Sequence, residues 1–321
     1  MRFLTEFQKA IKKAKTIAIF THKNSDHDTI CSGLALQNII KQMGKDSVIF
    51  VDKKPNQGIM KFVPENVEFE TTSDKIFDVG ISVDCAQLKM LSEESIKIFS
   101  ACTKTFNIDH HQDNGKFAQS NWVKKGWTSC CEVIYWLFYK KIKMNTQLAE
   151  WLYTGIYMDC GSFTYSSVNT KTHHCVAELM KYCPEVNKNF FICFGITGQE
   201  NFEITQRAFK SVQFFYNKQI AVSILRKQDF EASKCNRENG KFIVSYLQNI
   251  ASVKIAISIS EDKTNEWRIS LRTHYDNVDV SKIAHHFNGG GHFQASGLTL
   301  KGELDKALNA LICECKKELR K

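Results

Sequence analysis

The stretch TIAIFTHKNSDHDTICSGLALQNIIKQMG, residues 16–44, decides how the rest of the chain is read. It opens on Thr16–Thr21, a compact apolar run of strand length. From Thr29 to about Met43 apolar residues fall at helical spacing, and Gly44 stands where a left-handed helix terminus belongs. Between the two lies a polar turn carrying His22, Asp26 and Asp28. A strand passing through a short turn into a helix is half of a βαβ unit. The pattern recurs: Ser47–Val51, Phe77–Val83 and Lys104–Ile108 read as strands, and Ser129–Lys141 and Thr146–Tyr157 as helices. The predicted class is α/β, with an N-terminal parallel sheet covered by helices on both faces.

After about Pro184 the signal changes. Residues 186–218 are mostly polar and helical. Strands follow at Gln219–Leu225, Ala251–Ser260 and Trp267–Thr273, with a charged turn at Glu261–Glu266. A short helix at Val280–Phe287, a Gly-rich stretch at Asn288–Gly297 and an amphipathic helix at Leu304–Leu319 complete the chain. The expected division is a first domain over 1–186, a helical linker over 187–218 and a smaller α/β domain over 219–321, with a cleft between the two domains.

Composition supports two domains. The 321 residues are about twice the size of a typical domain. With 43% hydrophobic and 24% charged residues, a disordered or fibrous chain is excluded. Lys and Arg number 43 against 34 Asp and Glu, and the resulting +9 points, weakly, to phosphate-bearing partners. The longest apolar run, Val133–Tyr139, is far below the roughly 20 residues a membrane helix needs. Glu6, Lys9, Lys12 and Lys13 interrupt an amphipathic N-terminal helix, unlike the apolar core of an export signal. The chain is therefore expected to be soluble and cytoplasmic. Its 12 cysteines, including Cys130, Cys131, Cys175 and Cys193 in apolar helical context, read as reduced core residues. Cys313 and Cys315 lack the second half of a zinc site.

Four clusters carry chemistry. They are His22-x-x-x-Asp26-x-Asp28; Asp84 at the end of its strand; Asp109-His110-His111 at the end of the next; and Asp159 after the Thr146–Tyr157 helix. Three of the four fall at carboxyl ends of strands, where open α/β sheets place their ligand crevice. One strand-end Asp is commonly a turn or helix cap. Four such clusters in one half of the chain are not explained that way. Five carboxylates and two or three imidazoles would repel one another in one crevice unless cations neutralised them. Two divalent ions about 3.5–4 Å apart, bridged by one carboxylate, would do so and would activate water for attack on phosphorus. Oxygen-rich ligands with some imidazole and no thiolate favour Mn²⁺, with Mg²⁺ or Co²⁺ as alternatives.

HKNSDHD at 22–28, the strand-end Asp84, NIDHHQDN at 107–114 and YTGIYMDCGSF at 153–163 resemble the four motifs of the DHH phosphoesterase family. The resemblance implies one metal held by His22, Asp26 and Asp84, and a second held by Asp28, Asp84, His110 and Asp159. It implies further that His111 faces the scissile phosphate and that Asp109 orients a histidine. Ser25, Cys31 and Cys160 depart from the family pattern; none is an implied ligand.

In the Gly-rich stretch, successive glycines expose backbone N–H groups to close approach by a phosphate. Upstream, Arg272 ends its strand and can grip phosphate bidentately. The whole string ISLRTHYDNVDVSKIAHHFNGGGHFQASG, residues 269–297, resembles the DHH-associated C-terminal substrate domain. That resemblance implies nucleotide and phosphate contacts from Arg272, Gly290, Gly291 and His292.

Together the two resemblances imply a stand-alone enzyme of the nanoRNase and pAp phosphatase type, a Mn-dependent hydrolase of phosphodiester and phosphomonoester bonds. Its substrates would be short RNA oligonucleotides and nucleotide bisphosphates, with no long duplex DNA and no membrane partner, acting as monomer or homodimer. The alternatives are a cyclic di-AMP or pApA phosphodiesterase, a RecJ-like single-strand exonuclease and, outside enzymes, a catalytically inactive nucleotide- or RNA-binding protein.

Overall fold

The computed structural model describes residues 2–190, 198–235 and 243–320, in two compact units over 1–195 and 196–321. The first unit runs α1 (Arg2–Lys13), β1 (Ile17–Phe20), α2 (His27–Gln42), β2 (Val48–Phe50), α3 (Gln57–Met60), β3 (Phe69–Glu70) and β4 (Val79–Val83). It continues with α4 (Glu93–Ala101), β5 (Lys104–Asp109), β6 (Ser120–Val123), α5 (Cys130–Phe138), α6 (Thr146–Asp159), α7 (Thr170–Met180) and α8 (Val186–Phe190). Its six strands form one parallel sheet in the order β3-β2-β1-β4-β5-β6. The short strands β3 and β6 at its edges are additions to the sequence reading. The chain reverses its direction of travel across the sheet between β1 and β4, which opens a crevice beyond the strands' carboxyl ends.

Strand alternation explains why β1 is buried at every position. Ile17 and Ile19 join Ile49, Val79, Ile81, Phe106 and Ile108 beneath α1, α2, α5 and α6. Ala18 and Phe20 point the other way, joining Phe50, Phe99 and Cys102 beneath α4. A parallel sheet covered on both faces needs such continuous apolar strands. Helix α2 starts on the Asp26 cap and ends in a Schellman motif, with Lys45 N donating to Ile40 O and Gly44 N to Lys41 O.

The second unit comprises α9 (Gln199–Lys210), β7 (Gln213–Phe215), β8 (Ile220–Leu225), α10 (Lys227–Ala232), α11 (Ile243–Gln248), β9 (Ile255–Lys263), β10 (Glu266–Arg272), α12 (Val280–His286), β11 (Gly290–His292), β12 (Ala295–Lys301) and α13 (Leu304–Leu319). Its mixed sheet has the order β11-β12-β10-β9-β8-β7, with only β8 and β9 parallel. Residues 199–215, read from sequence as connector, supply α9 and the edge strand β7 of this unit. One sheet face packs Ile257, Trp267, Ile269 and Leu298 with α12 and α13. On the other, α9–α11 cover β8 and β9 through Ile204, Phe230 and Leu247 against Ala221 and Ala256. The Gly-rich stretch is a hairpin rather than a loop, because β11 pairs in register with β12.

Nine of the 11 described cysteines are buried. Cys315 is buried and Cys313 exposed; Cys193 lies outside the described residues.

Candidate metal centre

The four sequence clusters meet at the carboxyl edge of the first sheet. His22, Asp26 and Asp84 form one group whose ligand atoms lie within 4.8 Å of one another, and Asp28, His110 and Asp159 form another. Asp84 joins the two: its Oδ2 is 3.5 Å from His22 Nε2 and its Oδ1 is 3.3 Å from His110 Nε2. His110 Nε2 also lies 3.2 Å from Asp159 Oδ2. Asp159 is the last residue of α6, two residues beyond the helix end read from sequence. Asp84 adopts a left-handed backbone conformation, φ 57°, sparsely populated away from glycine.

Both histidines are fixed in the same way. His22 Nδ1 lies 2.9 Å from Lys23 O, and His110 Nδ1 lies 3.0 Å from Trp127 O. A carbonyl can only accept, so Nδ1 carries the hydrogen and Nε2 of the neutral ring presents a lone pair to the carboxylates. A lone pair facing carboxylate oxygens is repulsive unless a cation or a proton lies between. Asp84 Oδ1 and Asp159 Oδ2 are buried without accepting a well-aligned hydrogen bond, despite the nearby His110. This donor set fits divalent cations.

The protonation energetics agree. Burial alone would lower the pKa of His22, but Asp26 and Asp84 outweigh it and hold the ring at about 11. Burial is likewise overcome at His110, also about 11, chiefly by Asp84. Asp159 is pushed up to about 7 by burial, and Asp28 is raised by burial and by the charges of Asp84 and Asp159. Without a cation, the pocket holds protons that water at neutral pH would take from ordinary carboxylates.

Asp28 sits on the N-terminus of α5. Its Oδ2 accepts from Cys130 N at 2.7 Å and its Oδ1 from Cys131 N at 3.0 Å, a favourable place for a carboxylate. Gly155 of α6 makes this approach possible, because a Cβ there would lie 2.7 Å from Asp28 Oδ1 and would overlap the Cys131 thiol.

Asp109 plays a different part. Its Oδ1 lies 2.7 Å from His111 Nδ1, and its Oδ2 accepts from Asn114 Nδ2 at 2.6 Å. Asn114 also donates to Asn107 Oδ1 and to Cys85 O, which Asn107 Nδ2 shares. Fully buried and with both oxygens engaged, Asp109 holds His111 and Asn114 in place, and it also falls within one potential ligand group with Asp84, His110 and His111. Sequence reasoning passed over Asn107 and Asn114, although they are the first and last residues of NIDHHQDN.

In the second unit, register aligns the expected substrate contacts. Across β10, β12 and β11, Arg272 stands opposite Ala295 and that residue opposite His292; Leu271 aligns with Ser296 and Gly291, and Ser270 with Gly297 and Gly290. The His292 side chain lies outside the described residues. Gly291 (φ 139°) is required by packing, since a Cβ would meet Ser296 Cα at 2.6 Å, whereas a Cβ at Gly290 would meet nothing. Gly290 lines a groove of about 690 Å³ with Arg268, Ser270, Asn288 and Thr299; Arg272 and Gly291 do not line it.

Family models match the chain twice. Residues 16–156 match the DHH family, N-terminal domain, and residues 217–317 match the DHHA1 domain. A bifunctional oligoribonuclease and PAP phosphatase NrnA from Mycoplasma genitalium is 26% identical, over 98% of this chain and 98% of its own. The protein of the same name from Bacillus subtilis is 25% identical, over 97% and 98%. Among solved structures, an exopolyphosphatase-related protein from Bacteroides fragilis superposes with a TM-score of 0.87 at 22% identity, covering 98% of this chain and 96% of that one. Among the described residues no helix is long and apolar enough to cross a membrane.

Proposed function

This chain belongs to the DHH family and carries a DHHA1 domain, and we propose that it is a two-metal phosphoesterase that hydrolyses short oligoribonucleotides and 3′-phosphoadenosine 5′-phosphate. The relatives named above act on these two substrate classes by their names. The observation that carries the reading is the pairing of His22 and His110, each tied back through Nδ1 and each aiming Nε2 at Asp84.

His22, Asp26 and Asp84 would hold one ion; Asp28, Asp84, His110 and Asp159 would hold the other, with Mn²⁺ best suited to this oxygen-rich set. When bound, the ions lower the pKa of a water and offset charge at phosphorus. His111 supplies the remaining polarity. Its hydrogen bond to Asp109, outweighing burial, raises its pKa and favours the imidazolium. With Nδ1–H donated to Asp109, Nε2–H is available to a phosphoryl oxygen, where charge grows in the transition state. In the second unit, Arg272 and the Gly290 backbone would contact phosphate or nucleotide groups.

The test is a substrate panel with Mn²⁺: 3′-phosphoadenosine 5′-phosphate, RNA of two to about ten nucleotides, pApA, cyclic di-AMP, single-stranded DNA and pyrophosphate. Highest turnover on the bisphosphate and the shortest RNA is expected. Turnover confined to pyrophosphate or to cyclic di-AMP would overturn the substrate assignment.

A further inference from the structure

Ser129 caps α5, its Oγ accepting from Glu132 N at 3.0 Å. In a capping box the Glu132 carboxylate would return to the Ser129 amide. It reaches one residue further back instead: Oε2 accepts from Thr128 N at 3.1 Å and from Thr128 Oγ1 at 2.6 Å. From α7, Thr172 Oγ1 lies 3.4 Å from both carboxylate oxygens. Glu132 is 1% exposed. A carboxylate so buried costs desolvation that an apolar side chain would avoid.

The destination of that extra reach gives the carboxylate a purpose. The N–H of Thr128 and the carbonyl of Trp127 belong to one peptide group, and that carbonyl accepts from His110 Nδ1. The Glu132 carboxylate, a planar amide and the His110 imidazole therefore form one chain of hydrogen bonds. A peptide plane is stiff, so fixing its N–H fixes the direction of its C=O. A carboxylate on the N–H also polarises the amide and makes its oxygen a better acceptor. Carboxylates commonly contact metal-bound histidines directly and raise their basicity; here a backbone amide stands between. Lys171 on α7, with Nζ 3.4 Å from the centre of the Trp127 ring, holds the same residue from its side-chain end.

We infer that Glu132 is a positioning residue for the metal centre, acting on His110 through the Trp127–Thr128 peptide. The inference rests on the metal-centre reading above. Its test is Mn²⁺ titration of the full chain by calorimetry, with electron paramagnetic resonance of the bound ions. Wild type is expected to bind two ions. Glu132→Gln, which keeps the size and one acceptor but removes the charge, should weaken one of the two roughly 10–100-fold, the usual loss when such a supporting contact goes. The other should stay within about threefold, since the contacts of His22 do not involve this peptide. Glu132→Ala should show an equal or larger selective loss; where it fails to fold, Glu132→Gln carries the test alone. Ile98→Ala, on the opposite sheet face, is a destabilised control expected to keep both affinities. Unchanged binding in Glu132→Gln, equal weakening of both ions, or the same selective loss in Ile98→Ala would each overturn the inference. A wild type that takes up no Mn²⁺ overturns the metal-centre reading itself, before any variant is compared.

Discussion

The two units place their functional groups by opposite means. In the first, carboxylates and imidazoles converge at the edge of a sheet buried on both faces, and helices and neighbouring side chains fix them. In the second, the expected contacts lie on β10 and β11, on either side of β12, and Gly290 faces an open groove. The first is built for fixed distances between charges and tolerates little change. The second presents backbone and a few side chains to an open groove. On the proposed function, catalytic precision and substrate tolerance would fall to different parts of one chain.

The comparison breaks most readily at Asp84, which faces both histidines that aim at the centre. Asp84→Asn should abolish uptake of both ions and reduce turnover by on the order of 10³-fold or more, read by calorimetry and phosphate release. Next comes His111→Ala. Turnover should fall about 10²–10⁴-fold, the usual worth of an acid–base group, while Mn²⁺ uptake stays near wild type. Unchanged turnover would remove His111 from the chemistry.

A pair of glycine substitutions sharpens the contrast. Gly155→Ala drives a methyl against Asp28 and Cys131 and should cost about 1–3 kcal/mol, seen as a lower Tm together with weaker Mn²⁺ binding. Gly290→Ala points its methyl into open space and should change stability by less than about 0.5 kcal/mol, while raising KM for short RNA. Equal Tm losses in the two would erase the distinction between the units.

The smallest effect is in pH. Asp159, raised by burial to about 7, holds its proton in the metal-free chain below that pH. An incoming ion must displace this proton as well as those held by His22 and His110, so apparent Mn²⁺ affinity should rise with pH throughout, with Asp159 adding a loss of up to about tenfold per unit as pH falls from 7 to 6. Calorimetry in buffers of different ionisation heat would show the released proton. Affinity rising toward acid would contradict the assignment.

Much of the first unit was legible because its signals are local. Apolar strands, a capped helix and charged strand ends lie within a few residues of each other, and Asp26 serves as helix cap and candidate ligand together. The amides of Cys130 and Cys131 on Asp28 were invisible, since backbone donors leave no mark in a sequence. Asn107 and Asn114 read as ordinary polar residues until the fold set both against Asp109 and Cys85. Gly155 carried no signal of its own in the sequence; only Cys131 and Asp28 beside it show why a side chain there is excluded. The Gly-rich stretch read as a loop because its strand character comes from pairing with β12, not from its own residues.

The bond between Asp28 and the Cys130 amide spans 102 residues of sequence. On a chain emerging from the ribosome, that carboxylate appears long before the helix terminus that receives it, and Asp159 follows later still. Closing so long a loop is among the slower events available to a domain of this size. A nascent chain shorter than about 160 residues therefore carries His22, Asp26 and Asp84 but not the full set proposed for the second ion. On the two-ion proposal, uptake of the second ion would mark completion of that set, and a chain stalled before Asp159 would betray itself by its inability to retain it.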